Sequence, residues 1–229
     1  MKKKTSKRFK KLLDTLKDKK PLTIEDSISI VKKNCTTKFD ESIDVSLFLN
    51  LKQKKEEVNL RTVINLPNGN GKKIKIAVLC EEGKIKEAKD SGADIYGSEN
   101  LVNDITSGKI NFDKLVATPS MMTKMGKLGK ILGPKGLMPN PKLGTVSSDI
   151  KRTVKALKEG QIEVKNDKDG NLAASIGKKS FPDKKILENF NAFLQSIEKE
   201  KPNGIKGNFI LSAFITSTMG LSYKLKLSR

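Results

Sequence analysis

The sequence predicts an α/β protein of two domains: a discontinuous α+β domain made from both termini and an inserted Rossmann-like βα domain. Three observations carry this. Residues 1–67 and 159–229 read as helices mixed with alternating strands, residues 68–158 alternate strand and helix, and the turn-rich PNGNG and KEG segments stand where one pattern gives way to the other. A chain of 229 residues with 36% hydrophobic side chains suffices for a core in each part. Two connections, near Gly69 and Gly160, make a hinge geometrically easy.

In chain order, residues 5–18 place Phe9, Leu12, Leu13 and Leu16 on one helical face with basic residues opposite. That basic face is either a solvated surface or an RNA contact, and the pattern does not separate the two. A second helix over 23–34 repeats Ile24, Ile28 and Val31 after a Thr23 cap. In SIDVSLFLNL, Ile43, Val45, Leu47, Leu49 and Leu51 alternate with mostly polar residues, which predicts a half-buried strand. VNLRTVINL follows as its expected partner. Beyond PNGNG come the apolar strand IKIAVLC, helical EEGKIKEAKDSG, short ADIY, helical SENLVNDITSG, strand KLVAT and a helix opening at Pro119, the order of a small parallel sheet covered by helices. SSDIKRTVKALKEG predicts one more helix, capped by Ser148 or Asp149 and ended by Gly160. QIEVKNDKDGNLAASIG reads as a hairpin turning at DKDG. A helix over 182–200 buries Ile186, Leu187, Phe190, Phe193, Leu194 and Ile197, and two strands separated at Met219 and Gly220 close the chain.

Lys and Arg number 46 against 26 Asp and Glu, a formal charge of +20, which points to a polyanionic partner. Residues 114–148 contain no acid and are punctuated by glycines and prolines, which predicts an ordered loop from Gly133 to Gly144 with Lys130, Lys135 and Lys142 turned toward water. The chain has no His, so Ser/His/Asp, Cys/His and the common zinc sets are excluded. Cys35 and Cys80 stand apart and read as small buried apolar residues of a reduced cytosolic protein. Asp14 interrupts the basic N-terminus before any secretory apolar core forms, and no run approaches a membrane span. Neither a phosphate-binding nor a dinucleotide glycine motif follows any strand, so no cofactor is expected. GPKG matches the loop of a KH module, but Pro139 and Pro141 forbid the helix that must follow it. Composition alone leaves a nucleic-acid binder, a phosphate-substrate enzyme and a general cationic surface binder, with the first favoured.

The segment TKMGKLGKILGPKGLMPNPKLGTV, with TPSMM before it, resembles the signature of the bacterial large-subunit ribosomal protein L-one family, the universal ribosomal stalk proteins. The resemblance extends through TKFDESIDV, LPNGNGK, KEAKDSGAD, GQIEVKNDKDG, IGKKSF and STMG, nearly the full chain. It implies a non-enzymatic constituent of the large ribosomal subunit in the cytoplasm, a monomer within the ribosome. Its expected partners are large-subunit rRNA beside the tRNA exit site, the exit-site tRNA whose release it assists, and its own operon mRNA, which it represses. Carried over residue by residue, the resemblance implies RNA contact at Lys38, Phe39, Asp44, Lys168, Ser212, Thr218, Met219 and Gly220, with Lys130, Lys135 and Lys142 as a secondary RNA or tRNA contact. Phe39 and Met219 would meet ribose or base faces, Thr218 and Asp44 a hydroxyl or base edge, and Gly220 would allow close backbone approach. By residue type alone, Phe39 reads as core, Thr218 as a strand residue and Gly220 as a turn. Thr62, Ala173 and Leu221 depart from the family pattern, which has Gly, His and Pro there.

Overall fold

The computed structural model describes residues 6–14, 21–51, 60–202, 205 and 207–227. The chain begins with α1 (Lys7–Asp14), α2 (Ile24–Lys33), β1 (Ser42–Leu49) and β2 (Arg61–Asn65). There follow β3 (Ile76–Leu79), α3 (Ile85–Asp90), β4 (Ile95–Gly97), α4 (Glu99–Thr106), β5 (Lys114–Ala117), the single turns α5 (Met122–Met125) and α6 (Gly129–Leu132), and α7 (Ile150–Glu159). The last stretch supplies β6 (Gln161–Lys165), β7 (Asn171–Lys178), α8 (Asp183–Lys199), β8 (Ile210–Ser217) and β9 (Ser222–Lys224). This is a mixed α/β fold. Its contacts fall into two compact units, one of Met1–Gly71 with Ile162–Arg229, the other of Lys72–Gln161. Parts of two predicted elements, residues 5 and 15–18 of the first helix and 58–59 of the second strand, lie outside the described residues.

In the first unit, β1 runs through the middle of a four-stranded sheet ordered β7-β1-β8-β9. It pairs antiparallel with β7 on one edge and β8 on the other. Its odd-numbered residues, Ile43 to Leu49, are all buried, as the alternation predicts. Against this face pack Ile28 and Val31 of α2 and Ile186, Phe190, Phe193 and Ile197 of α8. Each fully buried phenylalanine contributes about 1.5–3 kcal/mol. The Thr23 hydroxyl accepts from the Asp26 amide to open α2, as expected, and Glu25 and Asp26 favour the positive end of the helix.

The strand partners differ from the sequence reading at two places. β1 does not pair with β2, and the DKDG segment does not join a hairpin. Instead β2 and β6 form their own two-stranded sheet, joined also by the Arg61 guanidinium on the Glu163 carboxylate. Between β6 and β7 only the Asn166–Leu172 bridge survives. The reason lies in the turn. The Asp167 carboxylate accepts from the Asp169 and Asn171 amides and the Asn171 side chain, while the Leu49 amide bonds the Gly170 carbonyl, so the corner delivers β7 to β1 and leaves β6 for another sheet.

In the second unit the parallel sheet β4-β3-β5 matches the predicted strand-helix order. Ala77, Leu79, Leu115 and Ala117 face one apolar cluster and Ile76, Val78, Cys80 and Val116 the other, so both faces are covered. Asp149 accepts from the Arg152 amide to open α7, and Gly160 ends it at φ 112°. From Pro119 to Leu132 the chain runs as short helical turns through Gly126 and Gly129, so Lys130 belongs to α6 rather than to the loop. Both cysteines are buried and free.

Asn189 is the buried polar residue of α8 that the apolar stripe concealed. Its side-chain amide donates to the Gly69 carbonyl at 2.8 Å and the Ile176 carbonyl at 2.7 Å, and its oxygen accepts from the Asn68 amide at 3.0 Å. These bonds tie Asn68 and Gly69 to the first unit. Asn189→Ala removes the partner of one buried and two half-buried backbone groups and is expected to cost about 3 kcal/mol. Urea unfolding checks this, and a loss below about 1 kcal/mol contradicts it.

Candidate nucleic-acid interface

After α2 the chain passes through a loop, residues 35–41, before entering β1. Its tip carries Lys38 and Phe39, both exposed; Phe39, at 52%, is the most exposed large hydrophobic side chain among the described residues. Beside it lies the turn Ser217–Gly220 after β8, closed by the Gly220 amide on the Ser217 carbonyl at 3.1 Å. Met219 sits at the tip of that turn and is 49% exposed. Thr218 locks the turn to the start of β1: its amide donates to the Ser42 carbonyl, and its hydroxyl accepts from the Ser42 amide at 2.9 Å. Gly220 does not have a positive φ; a Cβ there would land on the buried Ser217 Oγ, which is why the position needs glycine.

Two ionisable residues that the sequence reading passed over hold this arrangement. Glu41 is fully buried, and its carboxylate accepts from the Thr37 hydroxyl at 2.7 Å, the Thr37 amide at 3.3 Å and the Met219 amide at 3.1 Å. Burial pushes its proton affinity up, but the hydrogen bonds from Thr37 and Met219, with the Ser217 hydroxyl nearby, outweigh it and hold the carboxyl below the usual glutamate range. Arg8 of α1 donates to the Thr36 hydroxyl at 3.2 Å and to the Met219 carbonyl at 2.8 Å. On the other side of the loop, Asp40 accepts from the Ser180 amide and hydroxyl, and Lys179 donates to the Cys35 carbonyl. One signal for Glu41 was present in the sequence. It continues the odd-numbered inward alternation of Ile43 and Val45, so its carboxylate must point into the core and find donors there.

The remaining candidates distribute themselves along the outer face of the four-stranded sheet. Asp44, half-buried, pairs with Thr216 and Ser175 in the row next to the turn. Ser212 pairs with Phe48 four residues further along, which places the two rows about 13 Å apart. Phe48 and Phe214, which no motif singled out, share that face with Asp44 and Ser212, since paired residues point the same way. Lys168 is exposed in the DKDG turn at the far end of β1, away from Met219. The structure thus gathers Lys38, Phe39, Asp44, Thr218, Met219 and Gly220 at one end of the sheet, and Ser212 and Lys168 toward the other. Lys130, Lys135 and Lys142 are exposed in the second unit, where the Asn140 side chain and Gly144, at φ 67°, shape the loop. No group of described residues offers a metal-binding set, and no described helix is long and apolar enough to cross a membrane.

A family model described as the ribosomal protein L1p/L10e family matches residues 31–221. The chain belongs to that family. Among curated relatives it is 60% identical over 225 residues to the large ribosomal subunit protein uL1 of Pelagibacter ubique, covering 98% of both chains. It is 46% identical to uL1c of Phaeodactylum tricornutum over 98% of this chain and 97% of that one, and 42% identical to uL1 of Rickettsia akari over 96% and 93%. The family is structural and non-enzymatic, which removes the phosphate-substrate enzyme alternative. Of the three departures noted in the sequence, Leu221 is buried in the first unit's core, Ala173 is exposed on the outer sheet face opposite Ser46, and the Thr62 hydroxyl bonds Glu200.

Two outcomes follow from this geometry. Gly220→Ala forces the buried Ser217 hydroxyl aside at a cost of about 1–3 kcal/mol, and adding Ser217→Ala recovers most of that loss, because the next atom sits at ordinary contact distance. Denaturation of the two single variants and the double variant tests the coupling, and simple additivity refutes it. Because Glu41 holds its proton less tightly folded than unfolded, its contribution is full above the ordinary glutamate range and fades as pH falls through the folded value. The stability gap between wild type and Glu41→Gln should therefore shrink on acidification from neutral pH; a gap that stays constant is the contrary result.

Proposed function

We propose that the chain is a structural constituent of the large ribosomal subunit, part of the cytoplasmic ribosome, that binds stalk rRNA through its discontinuous unit. The observation that carries the reading is the pairing of Phe39 and Met219. Two exposed apolar side chains project from a loop and a turn that hydrogen bonds fasten to one another, in a chain of +20. Solvent gives such a pair no reason to be there, whereas ribose and base faces do. Lys38 supplies a neighbouring charge for phosphate, Asp44 and Ser212 acceptors and donors for base edges or 2′-hydroxyls, and Lys168 a further charge at the far end of the sheet. Thr218 and Gly220 contribute chiefly by fixing the turn, since the Thr218 hydroxyl already exchanges bonds with Ser42.

Two further roles complete the proposal. The inserted unit presents Lys130, Lys135 and Lys142 as a secondary surface for rRNA or for exit-site tRNA, whose release the protein assists. Free protein represses its own operon by binding an rRNA-like hairpin in the message.

The experiment is equilibrium binding of the intact protein to a hairpin-and-junction fragment of stalk rRNA, against unrelated RNA of equal length. Phe39→Ala and Met219→Ala should each weaken binding to the stalk fragment by about 1–3 kcal/mol while leaving the weak, salt-driven binding to unrelated RNA in place. Equal affinity of wild type for both RNAs, or no effect of either substitution, would overturn the reading.

A further inference from the structure

We propose that Glu41 and Arg8 are positioning residues for RNA binding, an acid and a base that grip the Met219 backbone from its two sides and fasten it to the Phe39 loop. The inference rests on the reading that Phe39 and Met219 meet RNA. It begins from what each group touches. Glu41 takes the Met219 N–H at 3.1 Å and, through its other oxygen, the Thr37 amide and hydroxyl; Arg8 takes the Met219 C=O at 2.8 Å and the Thr36 hydroxyl at 3.2 Å. Each therefore bridges the same two segments, the loop before β1 and the turn after β8, and between them they occupy both polar groups of the Met219 backbone. Neither bridge comes from the sheet itself.

Glu41 is an unexpected residue for this place. It is fully buried, so it does not touch RNA, and no ion pair reaches it among the described residues. An apolar side chain of the same size would bury at lower cost. What the carboxylate supplies instead is acceptor capacity for three donors on two oxygens, which fixes Thr37 and Met219 relative to one another. Binding then proceeds without first ordering the backbone under these side chains, and affinity rises by the ordering free energy avoided. In Glu41→Gln one oxygen becomes an NH2 group, which faces an N–H donor and opens one half of the bridge.

The test uses full-length protein and the stalk rRNA fragment over a range of salt concentrations. Glu41→Gln should weaken binding about tenfold without changing the slope of log K against log salt, because no phosphate contact is lost. In a protein already carrying Phe39→Ala and Met219→Ala the same substitution should cost less than about twofold, the non-additivity expected of residues acting through one another. A general loss of stability would instead multiply through unchanged. Arg8→Met, at the surface end of the arrangement, keeps the test decisive if Glu41→Gln folds poorly; it should show the same loss and the same non-additivity. Wild-type affinity in Glu41→Gln, full multiplication of its effect, or a slope lowered by about one in Arg8→Met, which would make Arg8 a phosphate contact, overturns the proposal while the RNA-binding reading stands. If Phe39→Ala and Met219→Ala themselves change nothing, both fall together.

Discussion

The first unit depends on one strand being paired along both edges by chain that arrives from far away. β1 is synthesised early, yet its partners β7 and β8 lie more than a hundred residues later in the sequence, as the Val45 pairings with Ala174 and Ile215 show. Until those strands arrive, Ile43 to Leu49 have an apolar face and two unpaired edges, the state that proteins otherwise guard against. Closing the sheet brings the start of β1 beside the end of β8. Ser42 meets Thr218, and the loop carrying Phe39 meets the turn carrying Met219. The candidate interface is therefore a product of long-range pairing, and no contiguous segment contains it.

That constraint explains which parts of the structure were legible in the sequence. Element type was readable because it depends on local period: Ile24, Ile28 and Val31 mark α2, the odd positions of β1 mark its buried face, and Asp149 and Gly160 bound α7. Partnership was not. Alternation says which face of a strand is buried but not which strand lies beside it, and the habit of pairing neighbours joined β1 to β2 and β6 to β7. Both assignments failed because the Asp167 turn is a corner between two sheets. At the candidate site, Phe39 and Met219 are singled out by motif resemblance and not by physics, since an exposed aromatic is indistinguishable from a buried one in sequence; the structure shows both exposed. Glu41 shows the opposite case: its parity in the strand gave its direction, but its donors, on Thr37 and Met219, come from two ends of the chain.

Five acidic side chains share one role in so basic a protein. Glu41, Asp40 and Asp167 all accept backbone hydrogen bonds in turns, and Asp26 and Asp149 stand at helix starts. Burial opposes ionisation at Glu41, while at exposed Asp167 the Asn171 side chain and amide hold the carboxyl below its ordinary range. Negative charge in these places is directed at N–H groups rather than at lysines. Among the described ion pairs none involves these five acids, which instead shape the backbone that presents the basic surface.

Attraction and discrimination consequently have different sources. With 46 basic side chains against 26 acids, the long-range pull on a polyanion belongs to the whole chain, and exposed lysines such as Lys130, Lys135 and Lys142 add to it without selecting one RNA over another. Discrimination requires groups whose positions do not adjust to whatever arrives. In the described structure that requirement is met most fully where Phe39 and Met219 project from a loop and a turn bonded to one another and to β1. A mobile apolar pair would have to be ordered by each RNA it met, at a cost comparable to the stabilisation that touching the RNA provides; a pair already fixed favours the surface whose sugars and bases match its spacing. On the proposed function, the exposed lysines of the inserted unit add to the attraction, and Phe39 and Met219 at the sheet's end supply the discrimination.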